Sequence, residues 1–256
     1  MKTVLVAGRH ELELMRSHAL PVTLYFLMPL AILAFVEGGF DIYLRLDDPE
    51  AGFSGADLAA PGQATMFGFM SLSTIGFLFL GDHEWGTWNR VRSLGVRPWQ
   101  IMAGKLGTAY LNQLAIFTFV MVMASLLFDL TVRGPIVALI VVELFMAAVV
   151  VGYCLIACAL SSNQAQFNAF SYLGALVLAG VGGALTPFDT LPGWAQAVAP
   201  ATPTYWAVRA FSTVILDGGG LGDVALELSV LALFAVGLFA VGTLLFDGNK
   251  KKTTWA

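Results

Sequence analysis

Few side chains in this sequence have the type and spacing to do chemistry. His83-Glu84 sets an imidazole beside a carboxylate, as a zinc-hydrolase helix begins, but the second histidine such a helix needs does not follow. Gly104-Lys105 resembles the close of a phosphate-binding loop. Leu106 stands where a Ser or Thr would hold magnesium, and no glycine stands five residues before Gly104. Cys154 and Cys158 lie four residues apart in one apolar run, a spacing that does not readily close a disulfide within a regular helix, and no histidine cluster accompanies them. They read as packing residues. The chain is therefore read as non-enzymatic, with no nucleotide, metal or cofactor site of its own.

Glu143 and Glu227 are the sharper cases, because carboxylates inside apolar runs cost energy and face a partner, a cavity or water. Each is a polar contact on a translocation route, a group that binds a cationic substrate, or a protonated carboxyl bonded to a neighbouring helix, Glu227 having a further option at the membrane interface. Asn112, Gln113 and Asn168 allow the same two readings, with helix-to-helix hydrogen bonds the simpler one. Phe67, Phe69, Phe77 and Phe79 form an aromatic series that either lines an apolar route or packs against lipid and neighbouring helices.

These residues need elements to hold them. The chain has 256 residues, 58% hydrophobic and 12% charged, whereas a soluble domain carries about 25% charge. Packing in water cannot hide that much apolar side chain, so the composition points to a multi-span membrane protein. The few basic residues adjoin apolar runs, which excludes a nucleic-acid surface. Six apolar segments, at about 20–36, 63–80, 107–128, 135–160, 167–186 and 224–246, each approach the roughly 20 residues that cross a bilayer. The fold expected is a single all-α membrane domain over residues 1–256 with six transmembrane helices. Residues 1–19 form an amphipathic helix lying in the interface, with Leu5, Leu12 and Met15 on one face and Arg9, Glu13 and Arg16 on the other. Charged residues at Arg9, Glu11, Glu13 and Arg16 interrupt any cleavable signal pattern.

Lys and Arg placement sets the orientation. With six spans, ten basic residues (Lys2, Arg9, Arg16, Arg90, Arg92, Arg97, Lys105 and Lys250 to Lys252) share one side, against three (Arg45, Arg133, Arg209) on the other. Both termini and the loop 81–106 are then cytoplasmic, in a plasma (inner) membrane of bacterial type. The opposite first loop, 37–62, is acidic. The stretch 187–212 is moderately apolar but holds Pro187, Pro192, Pro200 and Pro203, so it cannot be one spanning helix. It reads as a re-entrant helical hairpin after the fifth span, with Trp194, Tyr205 and Trp206 at the interface. The loop 81–106 reads as a short charged helix at the membrane surface, suited to receive force from a soluble partner.

Two segments together carry a family resemblance. Glu84-x-Gly86-Thr87, the arginines Arg90, Arg92 and Arg97, Pro98, Ile101 and Gly104-Lys105 resemble the cytoplasmic coupling segment of type-2 ATP-binding-cassette exporter permeases. Gly182-Gly183, Pro187, Leu191-Pro192-x-Trp194, Pro203-x-Tyr205 and Arg209 resemble that family's fifth-span signature. Trp85 and Trp88 depart from it, standing where charged residues are common. The resemblance implies a transmembrane permease subunit that forms a homo- or heterodimer with a second permease. Separate ATPase subunits carry ATP and magnesium, and the complex exports a drug-like, lipid or glycolipid amphiphile. It places ATPase docking on Glu84, Gly86, Thr87, Arg90, Arg92 and Arg97; the reading of the residues themselves puts a substrate route past Glu143, Phe69, Asn112, Asn168 and Pro187. The alternative is a secondary transporter or channel not coupled to ATP, which would need inverted repeats or charged relays at the midplane.

Overall fold

The computed structural model describes residues 13, 19–47 and 52–247. The interfacial helix expected over 1–19 and the lysines at 250–252 fall essentially outside these residues. Among the described residues there are nine α-helices, two 3-10 turns and no strand. Five helices are long and apolar enough to cross a membrane: α1 (Ala19–Asp47), α2 (Gly55–Glu84), α4 (Pro98–Leu127), α5 (Ile136–Leu160) and α9 (Ala225–Leu245). The short α3 (Thr87–Ser93) joins α2 to α4. Between α5 and α9 come α6 (Gln164–Val181), a 3-10 turn (Phe188–Thr190), α7 (Gly193–Val198), a second 3-10 turn (Ala199–Ala201) and α8 (Pro203–Ile215).

The expected fifth span is the one that falls short. α6 has 18 residues, and Gln164, Gln166 and Asn168 dilute its first turns. α5 and α9 match their expected bounds to within a residue, whereas α1, α2 and the start of α4 run past theirs. The acidic loop expected from residue 37 is mostly helix, since α1 continues to Asp47. Phe40 and Leu44 stay buried along it, and Arg45 Nε reaches Asp41 Oδ2 at 2.8 Å, one turn away. α2 then starts at Ser54, whose side chain and Asp57 form a reciprocal capping box. Asp57 also accepts from the Thr131 amide at 2.8 Å, so a residue expected in a solvent loop is buried and ties α2 to the α4–α5 connection.

α2 is the centre of the bundle, buried on nearly every face. Small residues make this possible by letting backbones approach. Gly62 lies against Ala184, the Gln113 side chain fills the space beside Gly68, and Phe167 covers Gly76. The middle of α2 adds hydrogen bonds to three neighbours. Ser73 Oγ meets the Tyr25 hydroxyl of α1 at 2.5 Å and the Tyr172 hydroxyl of α6 at 3.1 Å. Asn112 of α4 donates to Ser71 Oγ at 3.0 Å, and Gln164 donates to the Ser73 carbonyl at 3.1 Å.

α2 and α4 are antiparallel: Asp57 meets Thr131 at one end of the bundle and Asp82 meets Lys105 at the other. α5 and α9 run side by side in one direction, Gly152 packing on Leu238 and Gly242 on Leu155. The prolines break the segment after α6 as their chemistry requires. Pro187 and Pro192 precede short helices, and Pro203 opens α8 at its first turn. α8 is anchored at both ends. Thr204 donates to the Leu178 carbonyl at 2.5 Å, and the Val214 carbonyl accepts from the Gly134 amide at 2.9 Å. Phe211 stacks on Phe117 of α4, ring centres 5.0 Å apart.

Candidate functional site

The sequence between α2 and α4 is short, and two glycines shape it. Gly86 (φ +71°) and Gly95 (φ +83°) both take the left-handed conformation that other residues disfavour. Between them α3 makes two turns with Arg90 and Arg92 in its last turn, where cations suit the helix dipole. Trp88 turns inward and is buried, stacked on His83 with ring centres 4.3 Å apart and edge-on to Phe79 at 5.9 Å. It also meets Phe246, just past α9, at 6.5 Å. The aromatic that departs from the family pattern is thus the anchor of the helix. Trp85 remains exposed and lies edge-on to Phe77 at 6.0 Å.

The six docking candidates sit together at this end of the bundle. Glu84, Gly86, Arg90 and Arg97 are exposed, whereas Thr87 and Arg92 are half-buried. The Thr87 hydroxyl faces the bundle, donating to Asp82 Oδ1 at 2.6 Å and to the Asp82 carbonyl at 3.2 Å. Arg97 precedes Pro98, the first residue of α4, and its amide donates to Gln100 Oε1 at 3.0 Å. The result is a cationic knob on a short helix, fixed from beneath by an aromatic cluster. It presents arginine guanidinium groups, which make paired hydrogen bonds to carboxylates.

The route candidates are not gathered into one cavity. Phe69 is fully buried, edge-on to Tyr153 at 5.4 Å. Glu143, 3% exposed on α5, lies beside Gln113 of α4 in the bundle interior. Asn112 is bonded to Ser71, and Asn168 accepts from Gln164 at 2.7 Å. These four are in helix-to-helix or intrahelical contacts. Pro187 lines a separate cavity of about 370 Å³ at the opposite end from α3, with Tyr43, Phe188, Asp189, Tyr205 and Arg209. Tyr43 closes part of its rim by donating to Asp189 Oδ2 at 3.0 Å. Glu227 is held by Arg209, Nε to Oε1 at 3.0 Å, so the intramembrane carboxylate at the head of α9 is explained by an ion pair. Cys154 and Cys158 are both buried with free thiols, as packing residues would be.

Lys105 is the residue that sequence reasoning placed least well. It counted there toward orientation and the docking segment, but its ammonium is buried against Asp82 at 2.8 Å. The one available signal was its context, a lysine two turns into α4 among Met102, Ala103, Gly104 and Leu106.

The comparisons agree with this architecture. The linearmycin resistance permease protein LnrN of Bacillus subtilis (strain 168) is 26% identical over 199 residues, covering 77% of this chain and 51% of that protein. The chain thus spans about half the length of that relative. The pattern of the ABC-2 type transporter family matches residues 11–216, from the N-terminal segment through α8. That domain is the non-catalytic membrane part of such a transporter and carries no cofactor site. With helices that can span a membrane and the family pattern over most of its length, the chain belongs to the ABC-2 type transporter family, as a permease subunit.

Proposed function

We propose that this permease subunit is the membrane half of an ATP-driven exporter and that α3 is the surface on which a separate ATPase subunit docks. The observation that carries this reading is the exposed arginine-bearing helix, anchored by Trp88 and framed by two left-handed glycines. A chain that belongs to a transporter family without a nucleotide site takes its energy through such a surface. Glu84, Arg90, Arg92 and Arg97 make the polar contacts, and Gly86 and Thr87 set the shape of the loop.

In this reading α6 crosses the membrane as the fifth of six spans, both termini and α3 face the cytoplasm of a bacterial cell, and the segment 187–212 dips into the outer leaflet. The ten-to-three division of basic residues supports that orientation. A second permease copy or paralogue completes the pore, and the apolar outer faces of α1 and α9 meet lipid. Glu143, Phe69, Asn112 and Asn168 are closed against neighbouring helices here, so the route past them opens when α4, α5 and α6 part. Pro187 belongs to the exit. The substrate class is an amphiphile, drug-like, lipid or glycolipid, and a relative named for resistance to linearmycin supports efflux.

Affinity purification of the chain in mild detergent, co-expressed with candidate ATPase subunits, tests the reading. The expected result is a complex with ATPase activity that Glu84→Ala or Arg90→Ala weakens by about tenfold, the loss of one or two charge-assisted contacts. A well-folded chain that retains no ATPase would end the reading.

A further inference from the structure

Lys105 is 1% exposed, inside a helix of a membrane bundle. Its ammonium lies 2.8 Å from Asp82 Oδ2 and 3.4 Å from the Leu78 carbonyl. The other oxygen of the same carboxylate accepts from the Thr87 hydroxyl at 2.6 Å. One carboxylate therefore ties the last turn of α2, the first residue of α3 and the second turn of α4. Burying an ammonium costs several kcal/mol, and an apolar side chain of similar length would often stabilise such a site as well or better. Stability is thus a poor reason for the charge. What the charge adds is a fixed geometry among three helices.

The position of α3 gives that geometry a use. Gly86 and Gly95, both at positive φ, leave the seven-residue helix two swivels, one at each end. A push on a helix mounted this way would turn it in place. Among the described residues, the motion is opposed by the Asp82 node, which leads to α2 and α4, and by Trp88, which leads through His83, Phe79 and Phe246 to α2 and the end of α9. The aromatic contacts are apolar and tolerate sliding. The charged node is short and directional.

We infer that Lys105 and Asp82 form a rigid joint that makes α3, α2 and α4 move as one body, so that force arriving at α3 reaches the far end of the bundle. Both are positioning residues that act through Thr87 and touch neither the partner nor the cargo. The inference rests on the reading that α3 docks an ATPase.

The experiment uses the complex of the chain with its ATPase. An environment-sensitive bimane on Thr131→Cys, in the exposed α4–α5 connection at the far end, reports motion, since both native thiols are buried. ATP with vanadate is the stimulus. In the background with native Lys105 the emission shifts. Lys105→Met keeps the stem and removes the charge; it is expected to retain the ATPase and hydrolyse ATP within about twofold, while the far-end shift falls about fivefold or more, the scale of a lost coupling energy. If Lys105→Met is not recovered as a monodisperse complex, Asp82→Asn decides by the same two readings, because it keeps size and an acceptor for Thr87 and removes only the charge. An undiminished shift in a folded variant, or hydrolysis and shift falling in parallel, overturns the joint and leaves the docking reading standing. A complex with native Lys105 that hydrolyses ATP without any shift, or that does not form, removes the docking reading and the joint with it.

Discussion

Asp57 shows how much one carboxylate can organise in this protein. Its two oxygens accept from the Ser54 amide at 3.0 Å and from the Thr131 amide at 2.8 Å. Backbone amides partly withdrawn from water need such partners, and removing the acceptor leaves both without this one. Asp57→Ala is expected to destabilise the protein by about 2 kcal/mol, within the range of a lost helix cap plus a charge-assisted bond. Thermal unfolding in detergent checks this, and an unchanged midpoint would show that water replaces the acceptor. The role was not legible in the sequence, because an aspartate three residues after a serine marks a helix start only when the helix is known to begin there. Lys105 and Asp82 lay beyond sequence reasoning for a related reason: their pairing depends on how α2 and α4 are laid against each other. The surface placement of Arg90 and Arg97 was legible because exposure needs no partner to be specified.

The α2 helix owes its place to small residues that have no room beside them, whereas some glycines of other helices stand in open space. A Cβ added at Gly62 would come within 2.5 Å of the Ala184 carbonyl oxygen and 2.9 Å of its Cα, which are backbone atoms and cannot swing aside. Gly237, in the middle of α9, has nothing within 4 Å. Gly62→Ala is therefore expected to destabilise by about 1–3 kcal/mol. Gly237→Ala is expected to be neutral or stabilising by up to about 1 kcal/mol, as for any unhindered helix glycine. Paired thermal midpoints would separate the two, and equal midpoints would show that α2 and the Ala184 turn part easily. Apolar runs made the long helices legible, although Asp41–Arg45 pairing and the Ser54 cap carried α1 and α2 well past the ends of those runs. The break after α6 was legible from four prolines, whose geometry is local. The seating of α8 was not, since it depends on Thr204 reaching Leu178 and Phe211 reaching Phe117.

For the molecule as a whole, the ends of the bundle differ in character. One carries α3 and its arginines, and the other carries Arg133 over the Phe53 ring at 3.9 Å and the cavity beside Pro187. The proposed orientation puts the first inside the cell. A membrane-impermeant maleimide is expected to label Thr131→Cys in intact cells and Ser93→Cys only in opened ones, because both positions are exposed and the native thiols are buried. Labelling in the reverse order would invert the orientation and remove α3 from reach of any cytoplasmic ATPase. The family was legible from motifs at two places in the chain. The number of spans was less so, because α6 opens with Gln164, Gln166 and Asn168 and finds its partners on α2.

The outward faces of α1 and α9 expose Leu27, Phe35, Leu46, Leu233, Val236 and Leu244, whereas α2 shows almost nothing. When the protein is lifted from a bilayer, surfactant must therefore settle on α1 and α9, and the choice of surfactant tail should be felt there first. Amide exchange should quicken in those two helices as tails shorten, while α2, wetted by neither lipid nor surfactant, keeps its protection until the bundle itself comes apart.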